Sequence, residues 1–148
     1  MSASPRIIVG VDGSPASEQA LQWAIHYAEA VGGRVEAIAA WEYPAFYGWA
    51  GQSGAIAAAY NPEELAGKTL SETVTKVVGA APAVQISESV MPGNAARVLL
   101  DAAEGAALVV VGSRGLGGFS GLLLGSVSRH LTEHAPCPVV VVREHHTA

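Results

Sequence analysis

Short apolar runs alternate along this chain with longer stretches whose apolar positions recur at helical spacing. Arg6–Val11 (RIIVGV) is such a run and ends at Asp12-Gly13-Ser14-Pro15. Runs that are apolar on both faces suit buried parallel strands. Ser14 before Pro15 predicts a helix start, with serine as the cap and proline in the first helical position. Ala20, Leu21, Ala24, Ala28 and Val31 continue that helix until Gly32-Gly33 stops it. Arg34–Trp41 (RVEAIAAW) predicts a second strand. Asn61-Pro62-Glu63-Glu64 opens a second helix, with Glu64 placed for a capping box, and the helix runs to about Val78. Ala83–Val90 alternates in part and predicts a third, edge-like strand. Gly93–Glu104 predicts a helix, and Ala107–Val111 (ALVVV) is the clearest buried strand. After a glycine-rich stretch, Gly112–Gly125, come a short helix, Ser126–His134, and a last strand, Val139–Val142. The tail from residue 144 is polar.

Strands alternating with helices predict a single α/β domain, an open parallel five-stranded sheet with helices on both faces. Right-handed crossovers favour the Rossmann-like strand order 3-2-1-4-5. Ligands in such sheets bind at the carboxyl ends of the strands, where the order reverses. Here that point lies between strands 1 and 4. The loops expected there, Asp12–Ser14 and Gly112–Ser126, are both glycine-bearing.

Composition narrows the partners. Eight Lys and Arg against thirteen Asp and Glu give a net charge of −5, so no basic surplus invites nucleic acid. No stretch approaches the roughly twenty apolar residues of a membrane span. The single cysteine and the absence of a signal-like N-terminus lead us to expect a cytoplasmic protein. Only 14% of residues are charged, well under the roughly 25% usual for globular chains. Some apolar surface is therefore expected, and a subunit interface or alanine-rich helices would account for it.

Six glycines crowd the stretch from Gly112 to Gly125: Gly112, Gly115, Gly117, Gly118, Gly121 and Gly125. Exposed backbone N–H groups leading into a helix start make an anion site. Arg114 adds a planar charged fork, and Ser126 and Ser128 add hydroxyls. A P-loop is ruled out, because no lysine follows Lys76. The dinucleotide fingerprint also fails: Gly115-x-Gly117 begins it, but Ser120 stands at its last glycine position.

What remains is Gly112-x2-Gly115-x9-Gly125-Ser126. It resembles the nucleotide-binding signature of the universal stress protein family, in the subgroup that binds ATP. The opening VGVDGS, Met91-Pro92-Gly93, the VVVGSRG block and the closing PCPVVVV are similar too, so the resemblance covers nearly the whole chain. It implies that Asp12, flanked by Val11 and Gly13, contacts the nucleoside, and that Ala39, Ala40 and Trp41 frame the adenine. It implies that Gly112, Ser113, Arg114, Gly115, Gly125, Ser126, Val127 and Ser128 surround the ribose and phosphates, and that Met91 and Gly93 line the same crevice. The implied ligand is ATP, carrying Mg²⁺, with AMP and cyclic AMP as alternatives. The implied assembly is a homodimer through Val139–Val142.

Other candidates are weaker. His130 and His134 have a spacing that can hold a metal, but read as a solvent-facing pair, and we assign no metal. Cys137 reads as a small packed residue. Glu42–Tyr60 carries five of the nine aromatic residues, and a connection of that length is usually functional or mobile. A lid over the base, a partner surface and a packed edge stay open for it. No catalytic residue is assigned: without a P-loop lysine or a Walker-type aspartate, the sequence favours binding, with slow ATP hydrolysis at most. The alternative outside nucleotide chemistry is a partner-binding module.

Overall fold

Three consecutive side chains set the architecture. Ile7, Ile8 and Val9 are fully buried, so β1 (Arg6–Gly10) must be covered on both faces. The computed structural model describes residues 4–42, 61–79, 84–114 and 124–144. Its sheet is five-stranded and parallel, in the order β3-β2-β1-β4-β5, as expected from the sequence. The other strands are β2 (Arg34–Trp41), β3 (Ile86–Pro92), β4 (Leu108–Gly112) and β5 (Val139–Val142). The helices are α1 (Pro15–Val31), α2 (Pro62–Val78), α3 (Ala95–Ala102) and α4 (Ser126–His134). No helix among the described residues is long and apolar enough to cross a membrane.

Local chemistry explains the helix ends. Ser14 Oγ accepts from the Ser17 N–H at 3.2 Å, Pro15 follows it, and Gly32 closes α1 in the left-handed conformation. Asn61 Oδ1 accepts from the Glu64 N–H at 3.0 Å, the forward half of the predicted capping box. Asn94 Oδ1 caps α3 by accepting from the N–H groups of Ala96 and Arg97.

Some boundaries moved. β3 lies further along than Ala83–Val90, because it continues in register with β2 as far as Trp41↔Pro92. α3 begins at Ala95 rather than Gly93, because Asn94 is its cap. β1 stops at Gly10, although the Val11 N–H still donates to the Ile38 carbonyl. Residues 43–60, most of the aromatic connection, lie outside the described residues.

The two cores divide the helices. One cluster joins α1 and α2 (Ala20, Leu21, Ala24, Leu70, Val74) to Ile7, Val9, Ala37 and Ala39. The other joins α3 and α4 (Val98, Leu99, Leu131) to Ile8, Ile38, Val109 and Val111. The chain thus leaves β1 toward one face and β4 toward the other, which opens a crevice at their carboxyl ends. Half-buried Cys137 packs against the second cluster, where burial pushes its thiol pKa up.

At the opposite, amino end of the sheet, Arg6 ties three elements together. It pairs with Glu36 on β2 through Nε–Oε2 at 2.7 Å and Nη2–Oε1 at 3.2 Å. It also donates to the carbonyls of Ala102 and Glu104 at the end of α3. The hydrogen bonds from Arg6 hold the Glu36 carboxyl below its ordinary value of 4.5. The stabilisation this gives is complete above that value and declines as the pH falls through the lower, folded-state pKa. Glu36→Gln should cost about 1 kcal/mol at pH 7. It should also flatten the acid side of a stability–pH curve measured by urea unfolding.

Candidate nucleotide site

A cavity of about 250 Å³ opens at the carboxyl ends of β1, β2 and β4. The period of two along β2 decides what faces it. Ile38 and Ala40 point into the cavity, together with Leu99 and Ala95 of α3 and Val111 of β4. This makes one side of the cavity apolar. Gly10 forms part of the floor, since a side chain there would meet Leu99 at 2.9 Å.

The other side is polar and begins at Ser113. Its N–H donates to the Val142 carbonyl at 2.9 Å, and its carbonyl accepts from the Gly125 N–H at 2.7 Å. These bonds bring the start of α4 back against the end of β4. Gly125 caps α4 without a side-chain bond, leaving the first helical amides, at Ser126, Val127 and Ser128, with no acceptor four residues back. All three residues line the cavity beside Gly112, Gly125 and Arg114. Helix N-termini attract negative charge through their partial positive charge and their N–H groups. Arg114 adds a guanidinium, which also pairs with Glu144 at 3.3 Å.

Asp12 lies at the mouth of the cavity, at the end of β1. Its Oδ1 accepts from both the N–H and the hydroxyl of Ser14, so one carboxylate oxygen shapes the turn. From the sequence, Ser14 is the better-placed cap, which would leave Asp12 freer to meet a ligand. Instead the two residues form one turn, with Gly13 between them at φ +85. A side chain at Gly13 would be strained there and would also meet Thr69 of α2 at 2.8 Å.

Nine of the expected residues line the cavity: Val11, Asp12, Ala40, Gly112, Arg114, Gly125, Ser126, Val127 and Ser128. The others stand elsewhere. Ala39 alternates onto the opposite face, in the α1–α2 core. Gly13 holds the turn, and Ser113 is buried as the junction described above. Met91 is 45% exposed on β3, and Gly93 makes the turn after that strand by donating its N–H to the Trp41 carbonyl. Gly115 lies outside the described residues. Ser128 needs a correction of role. Its hydroxyl is buried and directed at the carbonyls of Ser113 and Gly125, at 3.2 and 3.1 Å. Only its backbone amide is left to meet a ligand.

Sequence reasoning missed Gly10, Ser17, Ile38, Ala95, Leu99 and Val111. The alternation along the second and fourth strands could have found Ile38 and Val111, but Ala95 and Leu99 read as ordinary core positions of an amphipathic helix. Among the described residues no cluster of three His, Cys, Asp or Glu could hold a metal ion. His130 and His134 are exposed on α4, with ring centroids 4.6 Å apart.

The universal stress protein family model matches residues 4–143. The chain belongs to that family. A universal stress protein of Mycobacterium tuberculosis is 38% identical over 140 residues, covering 93% of this chain and 45% of the relative. One from Mycolicibacterium smegmatis is 37% identical over 138 residues, with the same coverage. The chain thus spans about half the length of these curated relatives. Among solved structures, the universal stress protein UspA from Lactobacillus plantarum superposes with a TM-score of 0.75 at 19% identity, covering 97% of this chain and all of that one. A universal stress protein solved in complex with cAMP superposes with a TM-score of 0.61 at 25% identity, again over 97% of this chain and all of that one.

Gly112 combines two constraints: it lines the cavity, and a Cβ there would lie 2.7–2.9 Å from Ala16, backbone atoms included. A backbone cannot swing aside as a side chain can. Gly112→Ala should therefore destabilise the fold by about 1–3 kcal/mol. Chemical denaturation would measure this, and a midpoint unchanged from wild type would contradict the close approach.

Proposed function

We propose that this chain binds an adenine nucleotide and acts as a nucleotide-responsive regulator in stress response, as a cytoplasmic homodimer. The observation that carries the reading is the two-sided cavity. Its apolar side, Ile38, Ala40, Leu99 and Val111, suits a flat, weakly polar base. Its polar side offers the first amides of α4 and the Arg114 guanidinium to phosphate. The relative solved with cAMP supports an adenine ligand. ATP is the form that the Gly-x2-Gly-x9-Gly-Ser signature implies, with AMP and cyclic AMP as the alternatives. Mg²⁺ would arrive on the phosphates and meet Asp12 through water, since Mg²⁺ keeps most of its water shell. Hydrolysis would be slow at most. Asp12 is the single carboxylate lining the cavity among the described residues, and one of its oxygens is held by Ser14.

Titration calorimetry on nucleotide-stripped protein, with Mg-ATP, AMP and cyclic AMP, tests this directly. Saturable heat from at least one is expected, and no heat from any would end the reading. Arg114→Gln should weaken a phosphate-bearing ligand by about tenfold or more while leaving adenosine nearly unaffected.

The dimer rests on the edge of the sheet. Among the described residues β5 is paired on one side only, and all four of its valines are half-buried. The carbonyls of Pro138 and Val142 accept from β4, so Val139 and Val141 turn their N–H and C=O groups outward. A second copy of β5 would satisfy them. Val141→Pro removes one outward N–H without touching the β4 ladder. It should turn the dimer into monomer in light scattering, with the fold retained in circular dichroism.

A further inference from the structure

Two strands leave the sheet side by side at the polar end of the cavity. Gly112 on β4 is in register with Val142 on β5, and the Ser113 N–H donates to the Val142 carbonyl. Arg114 and Glu144 each follow two residues after those partners, and their side chains meet: Arg114 Nη2 donates to Glu144 Oε2 at 3.3 Å. The side chains are only 21% and 27% exposed, so water screens the pair weakly. Arg114 lines the cavity and Glu144 does not, which leaves the carboxylate beside the guanidinium, away from the ligand space.

The charge inventory around the cavity is unusual for a phosphate site. Among the described residues, Arg114 is the one cationic side chain in the lining, and the carboxylates of Asp12 and Glu144 stand against it. The remaining attraction for an anion comes from the amides of α4, worth about half a unit charge at the helix end. Attraction and repulsion both scale with the charge of the ligand, and with Arg114 offset by Glu144 the full negative charge of Asp12 outweighs the half charge of the amides.

We propose that Glu144 sets the charge selectivity of this site, by holding Arg114 in an ion pair so that ligands are disfavoured in proportion to their negative charge. The inference rests on the adenine-nucleotide reading. A singly charged cyclic phosphodiester is accepted readily. A polyphosphate is accepted only when a divalent cation offsets its charge.

The test is a charge ladder measured by calorimetry at pH 8, without divalent cations, on wild type and Glu144→Gln. The ligands are adenosine, cyclic AMP, AMP and ATP, a series of rising negative charge on one base. Glutamine keeps the shape and a hydrogen-bond acceptor, and melting curves confirm that the variant is folded. Glu144→Ala serves as the second variant if the amide disturbs the pair. The expected result is unchanged adenosine binding and an affinity gain that rises along the series, by about threefold to tenfold per negative charge. Added Mg²⁺ should then help ATP bind wild type far more than the variant. Equal gains for every ligand, no gain, or weaker binding of the phosphates would overturn the proposal, the last showing that Glu144 only aims Arg114. Wild-type binding to any member of the series upholds the adenine site independently. If neither protein binds any of them, both readings fall together.

Discussion

Ile7, Ile8 and Val9 leave no surface to water, and a strand closed on both faces needs a helix layer on each. With right-handed crossovers, the chain can supply both layers only by winding outward twice from β1 in one direction and then returning to the other side. β1 and β4 thus become neighbours whose following segments go to opposite faces. The cavity is a product of that reversal. Its floor is the end of β1, its apolar side belongs to β2 and α3, and its polar side belongs to β4 and α4.

The two ends of the sheet use arginine–glutamate pairs differently. At the amino end, Arg6 grips Glu36 with two hydrogen bonds and spends further donors on the carbonyls that end α3. Four hydrogen bonds from that guanidinium join β1, β2 and the end of α3. At the carboxyl end, one longer bond links Arg114 to Glu144, and the guanidinium borders the cavity. The same two residue types serve as a clamp in one place and as a tunable charge in the other.

Much of this was legible in the sequence. Strand order, helix caps at Ser14 and Asn61, and the location of the cavity all follow from periodicity, punctuation and crossover handedness. The errors have physical causes. β3 is an edge strand with little apolar contrast, so only its pairing with β2 locates its end. Ala39 and Ala40 are indistinguishable as residue types, and only the face that each strand position turns to the core separates them. Ser128 looks like a ligand donor in a serine-bearing helix start, yet its hydroxyl is spent on two carbonyls. Leu99 contributes to site and core at once, and a hydrophobic pattern reports only the second.

Ser113 has a mechanical meaning. One small buried residue donates to the edge strand at Val142 and accepts from both Gly125 and Ser128 at the head of α4. Strand edge, loop exit and helix are thereby fastened to the amide and the carbonyl of one residue. Any displacement of α4 would pull on the same residue that is bonded to β5. The crevice wall and the outermost strand are therefore joined through a single residue.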